Sequence, residues 1–370
     1  MKIAISINRS WNIYNFRSGL VKALIAEGHE VVAIAPKDEY SRLLMEMGCR
    51  FFPLEVQNTG SNPVKDISLY LEYIKIYKKV TPDIVLQYTI KPNIYGTLAA
   101  KRLSIPVINN VSGLGTVFLN NGMVSRIAQI LYKIAFSRTD LVFFQNADDR
   151  KEFIYKINLP KLRTDLLPGS GINLARFTPK PKLNGEKFTF LMISRIIKDK
   201  GIYEYVNTAQ KAKEQNIDAK FQLLGEPDVN HRRGIKKEEV DSWIDDGIIE
   251  YLGVTDHVDD VIKEVDCVVL PSYREGTPRT LLEGAAMAKP LIATDVAGCR
   301  QVVQEGENGL LCDVKDEESL LNAVTKVYQM DKVDLEQMGA NGRAFMESNY
   351  DEKIVIDKYL YWINKLVPGD

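Results

Sequence analysis

Two short-range pairs of charged residues carry most of the chemistry that this sequence can offer. In "SRIIKDKG", Arg195 and Lys200 stand five positions apart, directly after the apolar run "FLMI". A guanidinium fork and an ammonium at the end of a strand can converge on a diphosphate and stabilise charge on a leaving group. In "REGTPRTLLE", Glu275 and Glu283 stand eight positions apart around Thr277 and Pro278, after the apolar run "CVVLPSY". Threonine caps helices well and proline is tolerated at the first helical position. The pattern therefore predicts a helix starting at Thr277, with Glu275 in the loop before it and Glu283 about two turns inside it. The unpaired N–H groups of such a start attract a phosphate, and carboxylates accept hydrogen bonds from sugar hydroxyls. Either glutamate alone could be a solvated charge, and the Arg195 to Lys200 loop a solvated basic one. The two loops together favour a site for a phosphate flanked by a sugar.

Other candidate chemistry is weaker. The chain has no Asp-x-Asp pair, and His29, His231 and His257 have no metal-ligand spacing, so no metal is expected. Cys49, Cys267, Cys299 and Cys312 are scattered, which suggests neither zinc nor a disulfide framework and makes a reducing compartment the default. "GSGINLA" and "SGLGTVF" begin like dinucleotide fingerprints but lack the third glycine, so no nicotinamide cofactor is expected. A net charge of -1 gives no pull toward nucleic acid. No apolar run is long enough to span a bilayer, so the chain reads as soluble or at most peripheral to a membrane. One segment, residues 122 to 138, is amphipathic and carries Arg126, Lys133 and Arg138. It reads either as a helix lying on an anionic membrane surface or as a core helix whose charges face water.

The elements that must hold these residues follow one rhythm. Short β-branched runs alternate with helical segments near 16–27, 38–47, 66–79, 93–103 and 124–137, from "KIAISI" through "DLVFFQN". Continuous apolar strands followed by helical sequence indicate a parallel sheet covered on both faces. The stretch "TPKPKLNGEK", residues 178–187, is the best linker. Beyond it the alternation restarts with "FTFLMISR", "KFQLLGE", "IIEYLGV", "CVVLPSY", "PLIATDV" and "GLLC". The expected fold is α/β, with two doubly wound Rossmann-like domains. One covers residues 1–178 and the other 187–350, and a C-terminal helix at about 351–370 packs back on the first. Ligands of such sheets sit beyond the carboxyl ends of the strands, which makes the cleft between facing domains the natural site.

"SRIIKDKG" together with "EGTPRTLLE" resembles the Arg-x4-Lys and Glu-x7-Glu signature of the family-four retaining glycosyltransferases of the GT-B fold. "PGSGINLARFTP" is similar to the segment that precedes their interdomain crossing. The resemblance implies that Arg195 and Lys200 contact the donor diphosphate, Glu275 the transferred sugar and Glu283 the ribose. It also brings the backbone of Gly276 and Thr277 near the phosphate, and Gly253 and Val254 near the base.

"IYNFR", "KPNIYGTLAAK" and "SGLGTVF" resemble a narrower group, the undecaprenyl-diphospho-sugar alpha-1,3-N-acetylgalactosaminyltransferases. They imply that Arg17, Lys91, Asn93, Ser112 and Gly113 face the acceptor. The implied substrates are a nucleotide sugar, with uridine the expected base, and a polyprenyl-diphosphate-linked saccharide. The implied location is cytoplasmic, at the inner face of the cytoplasmic membrane. The first loop departs from the family by lacking its usual glycines, and no histidine lies between His29 and His231. Two alternatives stay open: a sugar-nucleotide epimerase or hydrolase on the same fold, and a non-catalytic subunit that binds a nucleotide sugar.

Overall fold

The computed structural model describes residues 1–56, 62–114, 118, 122–182, 187–227 and 233–368. These residues divide into two compact units, one of 1–170 with 352–370 and one of 171–351. The chain thus passes from one unit to the other at Ser170–Gly171, ahead of the proline-rich stretch expected to be the linker. Part of that stretch, 183–186, lies outside the described residues. Its described portion belongs to the second unit, where Lys182 pairs with Asp266 at 2.6 Å.

Unit one is built on seven parallel strands in the order β3-β2-β1-β4-β5-β6-β7. They are β1 (Lys2–Ser6), β2 (Glu30–Ala35), β3 (Arg50–Pro53), β4 (Ile84–Tyr88), β5 (Val107–Val111), β6 (Leu141–Phe144) and β7 (Thr164–Leu166). The inner strands are apolar at successive positions because both faces are covered. In β1, Ile3 and Ile5 pack with Leu24 and Tyr359 on one face, while Ala4 between them packs with Tyr73 and Tyr77 on the other. β7 has only three half-buried residues and no apolar run, so no strand was expected there.

The helix Glu352–Leu366 belongs to this unit and lies against the helix Ser10–Ala26. It is fixed to β7 and the residues after it by the Trp362 indole donating to Asp165 at 2.9 Å, and by Lys358 donating to the Leu166 carbonyl at 2.6 Å. The helix Ser10–Ala26 begins six residues before its expected start near residue 16. Its first N–H groups are satisfied from another loop, with the backbone N–H groups of Ser10 and Trp11 donating to the Asp38 carboxylate at 3.1 and 3.3 Å. A cap supplied from 28 residues away leaves no local signal.

Unit two repeats the plan with six parallel strands in the order β10-β9-β8-β11-β12-β13. They are β8 (Phe188–Ile193), β9 (Ala219–Leu224), β10 (Glu250–Tyr251), β11 (Cys267–Leu270), β12 (Leu291–Thr294) and β13 (Gly309–Cys312). This is the order of the dinucleotide-binding fold, whose ligand edge lies where the order reverses, between β8 and β11. Phe190 and Met192 of β8 face one core, and Leu191 and Ile193 the other. Both units are therefore doubly wound Rossmann-like α/β layers. Among the described residues no helix is long and apolar enough to cross a membrane.

Candidate functional site

The residues with donor chemistry gather at the carboxyl edge of the unit-two sheet. β8 ends at Ile193, Arg195 follows as an exposed residue, and a 3-10 turn, Lys198–Lys200, leads through Gly201 into the helix Ile202–Glu214. Gly201 has φ of +74°, and a Cβ there would stand 2.1 Å from the Pro271 carbonyl oxygen. Glycine is needed both for the left-handed turn and for the close approach. That approach presses the loop after β8 against the loop after β11. The Tyr273 N–H donates to the Asp199 carbonyl at 2.9 Å, and the Lys200 ammonium reaches the Glu275 carboxylate at 2.5 Å. Both side chains are well shielded, 21% and 12% exposed, so this pair is not an incidental surface contact.

The loop after β9 joins the same edge. Gly225, with φ of +151°, lies so near Ser194 that an added Cβ would fall 1.8 Å from its carbonyl oxygen. Its N–H donates to the Gly253 carbonyl at 2.8 Å, which brings Gly253 (φ +72°) and the exposed Val254 alongside. On the other side, a Cβ on Gly298 would sit 2.3 Å from the Gly276 carbonyl oxygen, so the Glu275–Gly276 backbone rests directly on the turn after β12.

The helix after this loop starts one residue later than expected. It spans Arg279–Ala286, and the capping position is Pro278, whose ψ of 113° is extended, rather than Thr277. Proline has no N–H to lose, and its carbonyl accepts from Leu281 and Leu282 at 3.2 and 3.3 Å. Glu283 therefore lies about one turn inside the helix, not two. It is 6% exposed and its carboxylate is held by the Arg279 Nε at 2.9 Å. Burial pushes the Glu283 carboxyl above its ordinary range, and the Arg279 guanidinium pulls the other way. Arg279 also donates to the Gly171 carbonyl at 2.9 Å. The sequence reading missed Arg279, although its place four residues before Glu283 was a readable signal.

In unit one, Lys91, Asn93, Ser112 and Gly113 line a pocket of about 250 Å³ at the carboxyl ends of β4 and β5. The chain leaves β4 through Thr89, whose φ of +65° is rare for a β-branched residue, and enters a single π-helical turn, Pro92–Gly96. Among the described residues, the Thr89 hydroxyl and the Asn110 side-chain carbonyl are both buried without a partner at this pocket. Lys91 is paired with Asp66 at 2.9 Å. The Asn93 amide is bonded to the Asn110 carbonyl and to the Asn109 side chain, each at 2.9 Å, so it braces the wall.

Arg17 is not in this pocket. It lies in the helix Ser10–Ala26, with its guanidinium 4.0 Å from the Tyr88 ring centre and 2.6 Å from the Asn12 side-chain oxygen. It lines a smaller hollow with Tyr88, Asn110 and Tyr359, and Asn110 borders both. Among the described residues, no three His, Cys, Asp or Glu side chains gather as a metal-ligand set. His231 lies outside the described residues.

Two doubly wound parallel-sheet units are the plan of the GT-B glycosyltransferases, and comparison with known proteins narrows the class. Residues 2–146 match the family model described as "Glycosyl transferase 4-like", and residues 187–330 match "Glycosyl transferases group 1". The chain is 27% identical, over 99% of both chains, to the N,N'-diacetylbacillosaminyl-diphospho-undecaprenol alpha-1,3-N-acetylgalactosaminyltransferase of Campylobacter jejuni. It is 25% identical to the UDP-Gal:alpha-D-GlcNAc-diphosphoundecaprenol alpha-1,3-galactosyltransferase of Escherichia coli, over 80% of this chain and 78% of that one. Among solved structures, a sucrose-phosphate synthase from Thermosynechococcus elongatus superposes with a TM-score of 0.83 at 19% identity, over 99% of each chain. HepE of Anabaena in complex with UDP-glucose gives 0.83 at 16% identity, over 99% of this chain and 100% of that one. Between them the two family models match most of the chain, which is a glycosyltransferase of this 4-like and group 1 kind and an enzyme.

Proposed function

We propose that this enzyme transfers a hexose or N-acetylhexosamine, with retention, from a UDP-sugar to a polyprenyl-diphosphate-linked saccharide. It would do so at the inner face of the cytoplasmic membrane, in the assembly of a surface polysaccharide or glycan. The observation that carries this reading is full-length similarity to a transferase acting on an undecaprenyl-diphosphate-linked sugar. The shielded Lys200–Glu275 pair and the buried Glu283 at one sheet edge support it.

In this reading unit two holds the donor. Arg195 and Lys200 take the diphosphate, the Gly276 and Thr277 backbone approaches it, Glu283 accepts from the ribose hydroxyls, and Gly253 and Val254 flank the base. Glu275 faces the sugar. The pocket with Lys91, Asn93, Ser112 and Gly113, together with Arg17, serves the acceptor.

An acceptor hydroxyl oxygen bonds to the anomeric carbon on the face from which the diphosphate departs. The bond between that carbon and the phosphate oxygen breaks, the departing oxygen takes the hydroxyl proton, and UDP and an alpha-linked product result. Arg195 and Lys200 offset the charge that grows on the leaving diphosphate, where preorganised cations act most strongly. With two cations at the diphosphate, no divalent ion is required.

The test is an assay of UDP-hexoses and UDP-N-acetylhexosamines against a synthetic polyprenyl-diphosphate-linked saccharide, in a chelator. One donor should give an alpha-linked product with UDP, and omission of the acceptor should stop turnover. Sugar release or epimerisation without acceptor, a beta product, or a strict need for Mg²⁺ would overturn the reading.

A further inference from the structure

The strand β5 carries two consecutive buried asparagines, Asn109 and Asn110, and successive side chains of a strand point to opposite faces. Asn109 is fully spent inside the fold. Its amide donates to the Asn93 side-chain oxygen at 2.9 Å and to the Thr97 hydroxyl at 2.8 Å, and its oxygen accepts from the Thr139 hydroxyl at 2.5 Å. Asn110 is only half spent. Its amide donates to the Tyr359 hydroxyl at 3.1 Å, while its side-chain oxygen has no partner among the described residues. The residue is 3% exposed and lines the unit-one pocket.

Thr89 stands beside it. Tyr88 and Asn110 are partners in the ladder between β4 and β5, and Thr89 follows Tyr88 directly. Its hydroxyl is likewise buried and unpartnered among the described residues. Its φ of +65° puts a β-branched side chain in the left-handed region, where glycine would sit with less strain. Such strain persists only where the surrounding structure imposes it, and it gathers at ligand sites.

Other polar side chains of the pocket are engaged or open to water. Lys91 is paired with Asp66, the Asn93 amide is held by the Asn110 carbonyl, the Tyr132 hydroxyl bonds to Asn93, and Ser112 is exposed. Val56 and Val111, 7% and 4% exposed, give the pocket an apolar wall. The unmet pair makes a definite demand. The Asn110 oxygen can only accept, and the Thr89 hydroxyl can donate or accept. A buried polar group left unmet is costly, so such a site strongly rejects an occupant that lacks the matching group.

We propose that Asn110 and Thr89 are specificity-determining residues, which select an acceptor whose terminal sugar bears an N-acylamino substituent. The substituent's N–H donates to Asn110, its carbonyl accepts from Thr89, and its methyl group lies against Val56 and Val111. A hydroxyl serves the polar pair but leaves the apolar wall uncovered, and a hydrogen leaves pair and wall unmet. The inference deepens the acceptor role proposed for this pocket and rests on it.

The test uses the full chain with synthetic polyprenyl-diphosphate-linked acceptors. Their terminal sugar carries acetamido, hydroxyl or hydrogen at C2 and, in a second set, at C4. In one set kcat/KM should fall about tenfold to 100-fold from acetamido to hydroxyl, the range for a missing apolar group, and about 10⁴-fold to hydrogen. Thr89→Gly relieves the strained turn, so its urea midpoint should hold or rise while the preference for acetamido over hydrogen shrinks at least tenfold. Asn110→Ala should lose the same preference, and Thr89→Gly decides alone if that variant does not fold.

Equal kcat/KM for all three substituents in both sets would overturn the selection. So would a Thr89→Gly chain that is less stable but keeps the preference, because Thr89 would then only brace the fold. Saturation-transfer NMR with the methyl glycoside of an N-acetylhexosamine, without donor, separates this inference from the reading it rests on. Glycoside binding that Thr89→Gly weakens, with no transfer from any UDP-sugar, would remove the proposed function alone. Transfer that is indifferent to the substituent would remove the selection alone.

Discussion

Glu275 and Glu283 look alike in sequence, yet each is bound to a different cation, and the partner decides how its loss should read out. Glu275 is ion-paired with Lys200 at 2.5 Å, so in the proposed site a donor phosphate would share or take that ammonium, and the expected losses rest on that proposal. Glu275→Ala frees Lys200 and should leave UDP affinity nearly intact while turnover falls, because contacts to the transferred sugar are lost. Glu283→Ala should weaken UDP and UDP-sugar alike, since the ribose is common to both. Calorimetric titration with UDP separates the two, and equal losses would refute the assignment. Lys200→Ala should lower turnover about 10² to 10³-fold, the range for removing one preorganised electrostatic group. Steady-state assay on a correctly folded variant checks it.

Arg279 adds a pH dependence. Burial raises the Glu283 carboxyl and Arg279 opposes the shift, while Arg176 also lowers it and Asp259 raises it. In Arg279→Ala the carboxyl should rise further, so protons compete with ribose at a higher pH. UDP affinity of the variant should then fall more steeply than that of the native chain as pH drops from neutral, and parallel profiles would deny Arg279 this role. For stability the sign is the reverse. A carboxyl raised by folding contributes stability below its ordinary range and loses it as pH rises through the shifted value.

The two spaced pairs were legible because each follows directly on a continuous apolar run that marks a buried strand. The Lys200–Glu275 contact was not legible, because it joins loops 75 residues apart in sequence.

At the scale of elements, the edge proposed to hold the donor depends on a few glycines at which one loop's backbone meets another's. Gly201 is the clearest, having both φ of +74° and a neighbouring carbonyl 2.1 Å from where a Cβ would be. Gly201→Ala should destabilise the protein by about 1–3 kcal/mol and also displace Lys200, which directly precedes it. A lower urea midpoint together with weaker UDP binding is the expected result, and unchanged UDP binding would mean that the loop adjusts without moving Lys200.

Most strands were readable as apolar runs between helical stretches, because buried parallel strands have little choice of composition. Element starts were less readable. Ser10 is capped by Asp38 across the fold, Pro278 rather than Thr277 begins its helix, and the half-buried strand Thr164–Leu166 lacks any apolar run. For Ser10 and for Thr164–Leu166 the deciding partner lies outside the local window.

The whole molecule has a separate core in each unit, and the two should report separately on heating. Under the proposed function UDP binds the native state of unit two, so it should raise that unit's transition by mass action and leave the other in place. Tyr359, 2% exposed in the unit-one core, should act on the other transition. Tyr359→Ala should lower it by about 3–5 kcal/mol, as large aromatic truncations do. Calorimetric scans of both proteins with and without UDP check this, and a single transition that UDP and the substitution shift together would show that the units unfold as one.

The path of the chain sets a timetable for biosynthesis. Unit one begins with the first residues made, but the helix Glu352–Leu366 that supplies Tyr359 and Ile363 to its core follows all of unit two. At about 5–20 residues per second, the ribosome takes roughly 10–40 s to cross the roughly 180 intervening residues. Throughout that interval the nascent first sheet waits with part of one face uncovered. It is then a natural client for chaperones, and a ribosome that stalls within unit two leaves a first unit that cannot complete its core.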